Sequence, residues 1–427
     1  MLESLVIEGG VPLRGEYRIH GAKNSALPVM AATVCRGAVY EIYDCPRIGD
    51  VFAMEAILHA LGVTTRWEKD CLIIDSRGLD KTAVPRELMA EMRSSVFLMG
   101  SLLARSGEAV IYRPGGCNIG KRPIDIHIEG LSQLGFEVCT RDEEVGCRGS
   151  CQGGKLTLPY PSVGATENLM MAALAGRGDT IIENCAAEPE IVDLQGFLRT
   201  CGFQVYGAGT DTIFVRGARG AALAAGPAEV MYFILEDRIE AATYMAAVLG
   251  SGGRALFRNI RAEYMTETLR CFERMGAAVR TADGCVEVWA LGRLKSPGML
   301  ITQPYPGFPT DCQPQLLTLA ATARGLTTIR EEVFESRFTH KNDLLRMGAD
   351  IEICGKNAII KGVSALKGAE VTARDLRGGA ALVIAGLMAE GRTTVRDIFH
   401  IQRGYEDLDR GLRALGGSIE KTRTEER

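Results

Sequence analysis

Four readings are disfavoured by what this 427-residue sequence lacks. It has five histidines, none spaced as H-x-x-x-H or H-x-H, and its 13 cysteines include no C-x-x-C pair. A Cys/His zinc site therefore has no ligand spacing to start from, and neither a metal nor a cofactor is expected. The odd number of cysteines, scattered from Cys35 to Cys354, argues against a disulfide framework and for reduced thiols, as in a cytoplasm. There is no basic excess. The 49 Lys+Arg against 53 Asp+Glu leave a formal charge of -4, so a sequence-blind nucleic-acid binder is excluded. No apolar run approaches the ~18 residues that span a bilayer, and Glu3 stands where a signal peptide would be basic. A cytoplasmic protein with no membrane partner is expected.

What is present is repetition. A glycine followed by a β-rich segment recurs at Gly37, Gly107, Gly178, Gly253, Gly325 and Gly391, at intervals of about 70 residues. A second marker, an amphipathic helix ending in a C-cap glycine and then a strand, keeps step at Gly62, Gly135, Gly202, Gly276, Gly348 and Gly416. Two markers in step define six copies of one unit. Ahead of each first marker lies a run such as Leu169-Met-Met-Ala-Ala-Leu-Ala or Ala380-Ala-Leu-Val-Ile-Ala-Gly-Leu-Met-Ala, apolar nearly all round, as helices enclosed by protein are. Each unit reads as buried helix, strand, amphipathic helix, strand. Two clusters of three units enclose such helices, whereas a linear stack does not.

The starts of the buried helices are polar: Lys23-Asn24, Arg93-Ser94-Ser95, Ser162-Val163-Gly164, Asp237-Arg238, Thr310-Asp311 and Asp375-Leu376-Arg377. Helix amino termini present unpaired N–H groups and about half a positive charge, so several of them with four cations predict an anionic substrate held in a cleft. Capping alone explains any one of these positions taken singly.

The densest motif is Pro114-Gly-Gly-Cys117-Asn-Ile-Gly-Lys-Arg122-Pro123. From Gly115 it nearly fits the phosphate-cradling G-x-x-x-x-G-K-[ST], but Arg122 offers no hydroxyl for Mg²⁺, which disfavours a nucleotide hydrolase. A glycine-hinged loop presenting one thiol beside two cations fits better.

Taken with Gly21-Ala-Lys23-Asn24, Ile124-Asp125-Ile126-His127, Glu188-Pro-Glu190, Phe308-Pro-Thr-Asp311, Phe334-Glu-Ser-Arg337-Phe, Asp375-Leu-Arg377 and Arg403-Gly-Tyr-Glu406, this loop resembles the UDP-N-acetylglucosamine 1-carboxyvinyltransferases, nearly end to end. The cysteine loop separates that family from its relative, 5-enolpyruvylshikimate-3-phosphate synthase. The resemblance implies an inside-out α/β barrel of two similar globules, each with three repeats around buried helices. Residues 22–235 would form the cysteine-bearing domain, and 1–21 with 236–427 the other, joined by a double crossover. It further implies transfer of enolpyruvyl from phosphoenolpyruvate to the 3-hydroxyl of UDP-N-acetylglucosamine with release of phosphate, the first committed step of peptidoglycan synthesis. Competing readings are an enolpyruvyl transferase with another nucleotide acceptor and a catalytically idle binder of the nucleotide sugar.

By the same resemblance Cys117 is the general acid and Asp311, at the start of its helix, the base beside the 3-hydroxyl. Lys23, Arg122 and Arg403 face the phosphate, Arg337 and Arg377 suit the carboxylate through their guanidinium forks, and Asn24 completes the phosphoenolpyruvate motif. Arg93, Arg122, Pro123, Ile124, Asp125, Ile126, Ser162, Val163, Gly164, Asp311 and Val333 fall to the nucleotide sugar. His127 is read as structural. Gly49 and Tyr160 stand where some members carry lysines, which removes two uridine diphosphate contacts.

Overall fold

The computed structural model describes residues 2–113, 115, 124–218 and 225–424. These divide into two units: the described residues up to His20 together with those from Glu236 on, and those from Gly21 to Leu235. The chain passes from one to the other at His20–Gly21 and back at Leu235–Glu236.

Among the described residues the strands form six sheets, five of four strands and one of three. Each sheet contains one strand following a first-marker glycine: Val39–Tyr43, Glu108–Tyr112, Thr180–Glu183, Arg254–Arg258, Leu326–Arg330 or Arg392–Arg396. The six-fold repeat is therefore built as six sheets. Where the sequence pattern led to one strand after each outer helix, the structure has two. Thr64–Glu68 pairs antiparallel with Cys71–Asp75, and Phe136–Arg141, Ala277–Ala282 and Asp350–Cys354 pair likewise with the strands that follow them. Their two-residue turns each include a residue with positive φ: Lys69, Asp142, Gly284 and Gly355. Asp283-Gly284 is a recognisable hairpin signal. Lys69-Asp70 is not, which is why the doubling escapes a sequence reading. In the last repeat the terminal strand Ser418–Thr424 pairs instead with the first strand, Leu2–Glu8.

The strand just before each crossover pairs within its own unit. Arg14–Arg18 pairs parallel with Arg254–Arg258, and Glu229–Phe233 pairs parallel with Val39–Tyr43. Each unit thus completes a sheet with a strand distant in sequence.

The six central helices are α1 (Lys23–Ala32), α2 (Phe97–Ser106), α3 (Val163–Ala173), α4 (Arg238–Gly250), α5 (Gln313–Thr322) and α6 (Leu376–Met388). In α4 every residue from Arg238 to Leu249 is buried, and in α6 every residue from Leu376 to Leu387. Within one unit α2 packs against both α1 and α3; within the other α4, α5 and α6 pack against one another. Small residues permit these approaches: a Cβ on Gly100 of α2 would lie 2.2 Å from the backbone oxygen of Asn168 in α3. The surrounding strands alternate in burial, as in Arg254–Arg258, whose second and fourth residues face the helices. Each unit has its own apolar core. Truncating a fully buried member such as Leu317 to alanine should cost about 2–5 kcal/mol.

All six second-marker glycines have φ between 88° and 96°. A side chain is strained in that left-handed conformation, so glycine ends each outer helix and turns the chain into the next strand.

Candidate functional site

Each unit positions part of the polar set at the starts of its central helices. In the unit containing α4–α6, the 3-10 turn Thr310–Cys312 leads into α5 and presents Asp311. Arg337 donates from Nη2 to Asp311 Oδ1, and Arg377 Nη2 lies 3.5 Å from Oδ2. The two arginine side chains are 3% exposed and the aspartate 27%, so a carboxylate at the surface is gripped from beneath by two buried guanidiniums. Arg337 also donates from Nε to the Thr310 carbonyl, at 3.3 Å.

Arg377 owes its place to the start of α6. The Asp375 carboxylate caps that helix, Oδ1 accepting from the backbone N–H of Arg377 at 3.1 Å and of Gly378 at 2.8 Å. The Arg377 guanidinium lies over the Tyr405 ring, 5.2 Å from its centroid, and the Tyr405 hydroxyl is 2.8 Å from that of Thr243 on α4. Burial opposes the charge on Arg377, but Tyr405, Asp311 and Asp237 outweigh it and hold the guanidinium charged. Arg403 is buried and directly follows the short helix Phe399–Gln402.

Among the described residues Asp311 caps no helix. Its carboxylate is engaged by the two arginines, and neither Pro309 nor Cys312, at the cap positions of the 3-10 turn and of α5, makes a side-chain cap bond. The capping expectation holds for Asp237, Ser162 and Asp375, whose side chains accept from backbone N–H groups of α4, α3 and α6.

Glu331 escapes sequence reasoning. It is 2% exposed and accepts from Thr302 Oγ1 at 2.8 Å, Thr310 Oγ1 at 3.1 Å, and the backbone N–H of Val333 at 2.9 Å and Phe334 at 3.1 Å. One carboxylate thus joins the Asp311 turn to the segment bearing Val333 and leading to Arg337. A glutamate directly after a β-strand carries no signal of this in the sequence.

In the other unit Lys23 is the first residue of α1, and its Nζ lies 2.7 Å from Oδ2 of Asp50. Asp50 sits in the first turn of the helix Gly49–Ala60 with its side chain 4% exposed, a buried anion orienting a cation. Asn24 follows Lys23 in α1, and Arg93 opens the 3-10 turn Arg93–Val96 that runs into α2. Ser162 caps α3, Oγ accepting from Ala165 N at 3.4 Å, with Val163 and Gly164 as its first residues. Ile124 is buried, while Asp125 and Ile126 begin the helix Asp125–Gln133. His127 is buried beneath them. Its Nδ1 lies 2.9 Å from the Asn168 amide nitrogen, which also donates to Val96 O at 3.2 Å. Burial first, then the nearby Arg93 charge, push its pKa down to about 3, so the ring is neutral. Cys117, Arg122 and Pro123 lie outside the described residues.

Residues 7–412 match the family model described as EPSP synthase (3-phosphoshikimate 1-carboxyvinyltransferase). Among solved structures, the enolpyruvyl transferase NikO from Streptomyces tendae is similar with a TM-score of 0.88 at 25% identity, covering 99% of each chain. EPSP synthase from Acinetobacter baumannii is similar in fold, with a TM-score of 0.74 at 19% identity over 99% of this chain and 100% of that one. Six sheets laid around buried helices in two units are the inside-out α/β barrel of the enolpyruvyl transferases.

Within that class the sequence relatives are more specific. The protein of Caldanaerobacter subterraneus subsp. tengcongensis named UDP-N-acetylglucosamine 1-carboxyvinyltransferase 2 is 42% identical over 414 residues, 97% of this chain and 98% of its own. The UDP-N-acetylglucosamine 1-carboxyvinyltransferase of Thermotoga maritima is 42% identical over 422 residues, again 97% and 98%. The chain belongs to the UDP-N-acetylglucosamine 1-carboxyvinyltransferase family.

Proposed function

We propose that the chain transfers the enolpyruvyl group of phosphoenolpyruvate to the 3-hydroxyl of UDP-N-acetylglucosamine, releasing phosphate, and so commits the nucleotide sugar to peptidoglycan synthesis. The full-length identity to relatives of that name carries this reading. Asp311 flanked by two buried guanidiniums fits it.

The reaction has two stages. A proton adds to C3 of phosphoenolpyruvate while the sugar oxygen bonds to C2 and gives up its own proton, forming a tetrahedral adduct. C3 then loses a proton as the C2–O bond to phosphate breaks. We assign C3 protonation to the Cys117 thiol, whose ordinary pKa of ~8.5 keeps the proton at neutral pH yet permits its release. Asp311 accepts the hydroxyl proton. A substrate carboxylate arriving at Arg337 and Arg377 competes with Asp311 for the same donors, which loosens their hold on the carboxylate that serves as base. Lys23, Arg122 and Arg403 are assigned to phosphate, and Asn24 to phosphoenolpyruvate. Arg93, Ser162, Val163, Gly164, Val333 and the run from Arg122 to Ile126 are assigned to the nucleotide sugar.

Membrane-impermeant phosphorylated substrates and free thiols from Cys35 to Cys354 among the described residues fit a cytoplasmic enzyme serving cell-wall growth, cell shape and division. Phosphate release from phosphoenolpyruvate tests the function. It should require UDP-N-acetylglucosamine and be absent with free uridine nucleotides; release with a free nucleotide would reassign the acceptor, and none with either would refute the reading.

A further inference from the structure

The turn that carries Arg337 is tied down a second time. Thr339 donates from Oγ1 to Asp375 Oδ2. The other oxygen, Oδ1, accepts the backbone N–H groups of Arg377 and Gly378. One oxygen of Asp375 therefore caps α6 and the other fastens the turn.

Two residues before Thr339 stands Arg337, on Asp311 Oδ1; two residues after Asp375 stands Arg377, 3.5 Å from Asp311 Oδ2. The contacts close a ring through Thr339, Asp375, Arg377, Asp311 and Arg337. Space inside it is tight: a Cβ on Gly378 would lie 2.6 Å from Asp375 Oδ2 and 3.2 Å from the His340 Cβ. His340 is 2% exposed, and neither ring nitrogen has a hydrogen-bond partner among the described residues. Thr339 is thus the side chain that hydrogen-bonds Asp375 there.

We propose that Thr339 is a positioning residue for enolpyruvyl transfer, its hydroxyl setting the spacing of Arg337 and Arg377 across Asp311. The inference rests on the function proposed above. Thr339 itself touches no reacting atom. Valine has the same shape but no donor, so Thr339→Val unlinks the turn from the start of α6 while keeping its packing. Two guanidiniums that must meet one carboxylate tolerate little displacement, since an error of ~1 Å in such an arrangement costs up to ~10²-fold in rate.

The test compares parent, Thr339→Val and Thr339→Ser, with Thr339→Ala as the second variant should valine not fold, all well below their thermal midpoints. Saturated phosphate release dependent on UDP-N-acetylglucosamine should fall about tenfold or more in the valine variant, with KM for the nucleotide sugar little changed, and return in the serine variant. A valine variant with kcat within about twofold of parent, whatever its midpoint, would overturn the proposal, as would a serine variant as slow as valine. A parent inactive on both substrates sinks the functional reading instead. The spacing is then read from the Nε–H resonances of Arg337 and Arg377, which should shift with valine and return with serine; resonances that stay put refute it.

Discussion

Arg377 stands 3.5 Å from Oδ2 of Asp311, on the far oxygen from the one that Arg337 holds. The aspartate is thus the counter-charge of two buried cations and not a helix cap. Asp311→Asn removes both the base and that charge. Turnover should fall by ~10²–10⁴. Stability should fall too, because two guanidiniums 3% exposed lose their shared anion. Phosphate release and thermal midpoint, measured together, check this. Normal turnover in the folded variant would withdraw the base assignment.

Lys23 and Asp50 make the corresponding test in the other unit. A lysine ammonium on four rotatable carbons is a poorly fixed point charge, and Asp50 at 2.7 Å restricts it. In Asp50→Asn the charge that orients Lys23 is lost while the shape is kept. KM for phosphoenolpyruvate should rise about tenfold with a smaller change in kcat, because binding of the phosphate is what Lys23 is assigned. An unchanged KM would separate Lys23 from the phosphate.

The repeat, the six buried helices and the glycines that end the outer helices were legible because each rests on a local rule: all-round apolarity, or a backbone conformation that only glycine adopts freely. The hairpin at Lys69-Asp70 was not, since Lys-Asp is not one of the glycine-containing pairs that mark a two-residue hairpin turn. The arginines and Asp311 were legible through a motif resemblance, but their mutual pairing was not, because Asp311, Arg337 and Arg377 come from three separate segments of the chain. Glu331 and Asp50 show the same limit. A buried carboxylate that gathers distant donors looks, in sequence, like any surface acid.

Glu167 on α3 gives a prediction in pH. It is fully buried, both carboxylate oxygens lack a hydrogen-bond partner among the described residues, and burial first, then Glu190 and Glu188, raise its pKa well above the usual carboxylate range. The folded state therefore keeps a proton that the unfolded state, titrating near 4.5, has already released. Folding stability is lost as pH rises above that value. Glu167→Gln cannot ionise, so its stability relative to parent should climb steadily from pH 5 to pH 8 in urea unfolding. A difference that stays flat with pH would mean that Glu167 does not titrate abnormally.

One thiol among 13 should stand apart in its reactivity. Burial pushes the pKa of Cys147, Cys185, Cys201 and Cys312 up to about 12, so almost none of their thiolate exists at neutral pH. Cys139 and Cys354 are exposed and serve as internal controls for simple access. An epoxide phosphonate resembling phosphoenolpyruvate should alkylate Cys117 ahead of both. The proposed phosphate set, Lys23, Arg122 and Arg403, would hold the reagent with its electrophilic carbon at the sulfur, an effective concentration that an exposed thiol elsewhere lacks. The sulfur opens the epoxide, a C–O bond breaking as the C–S bond forms, and the alkoxide takes up a proton. Excess phosphoenolpyruvate should slow the labelling, and UDP-N-acetylglucosamine should hasten it if binding the sugar excludes water from the loop. Peptide mapping reads the outcome. Label spread evenly over Cys117, Cys139 and Cys354, or labelling indifferent to phosphoenolpyruvate, would remove Cys117 from the phosphoenolpyruvate site and with it the assigned acid.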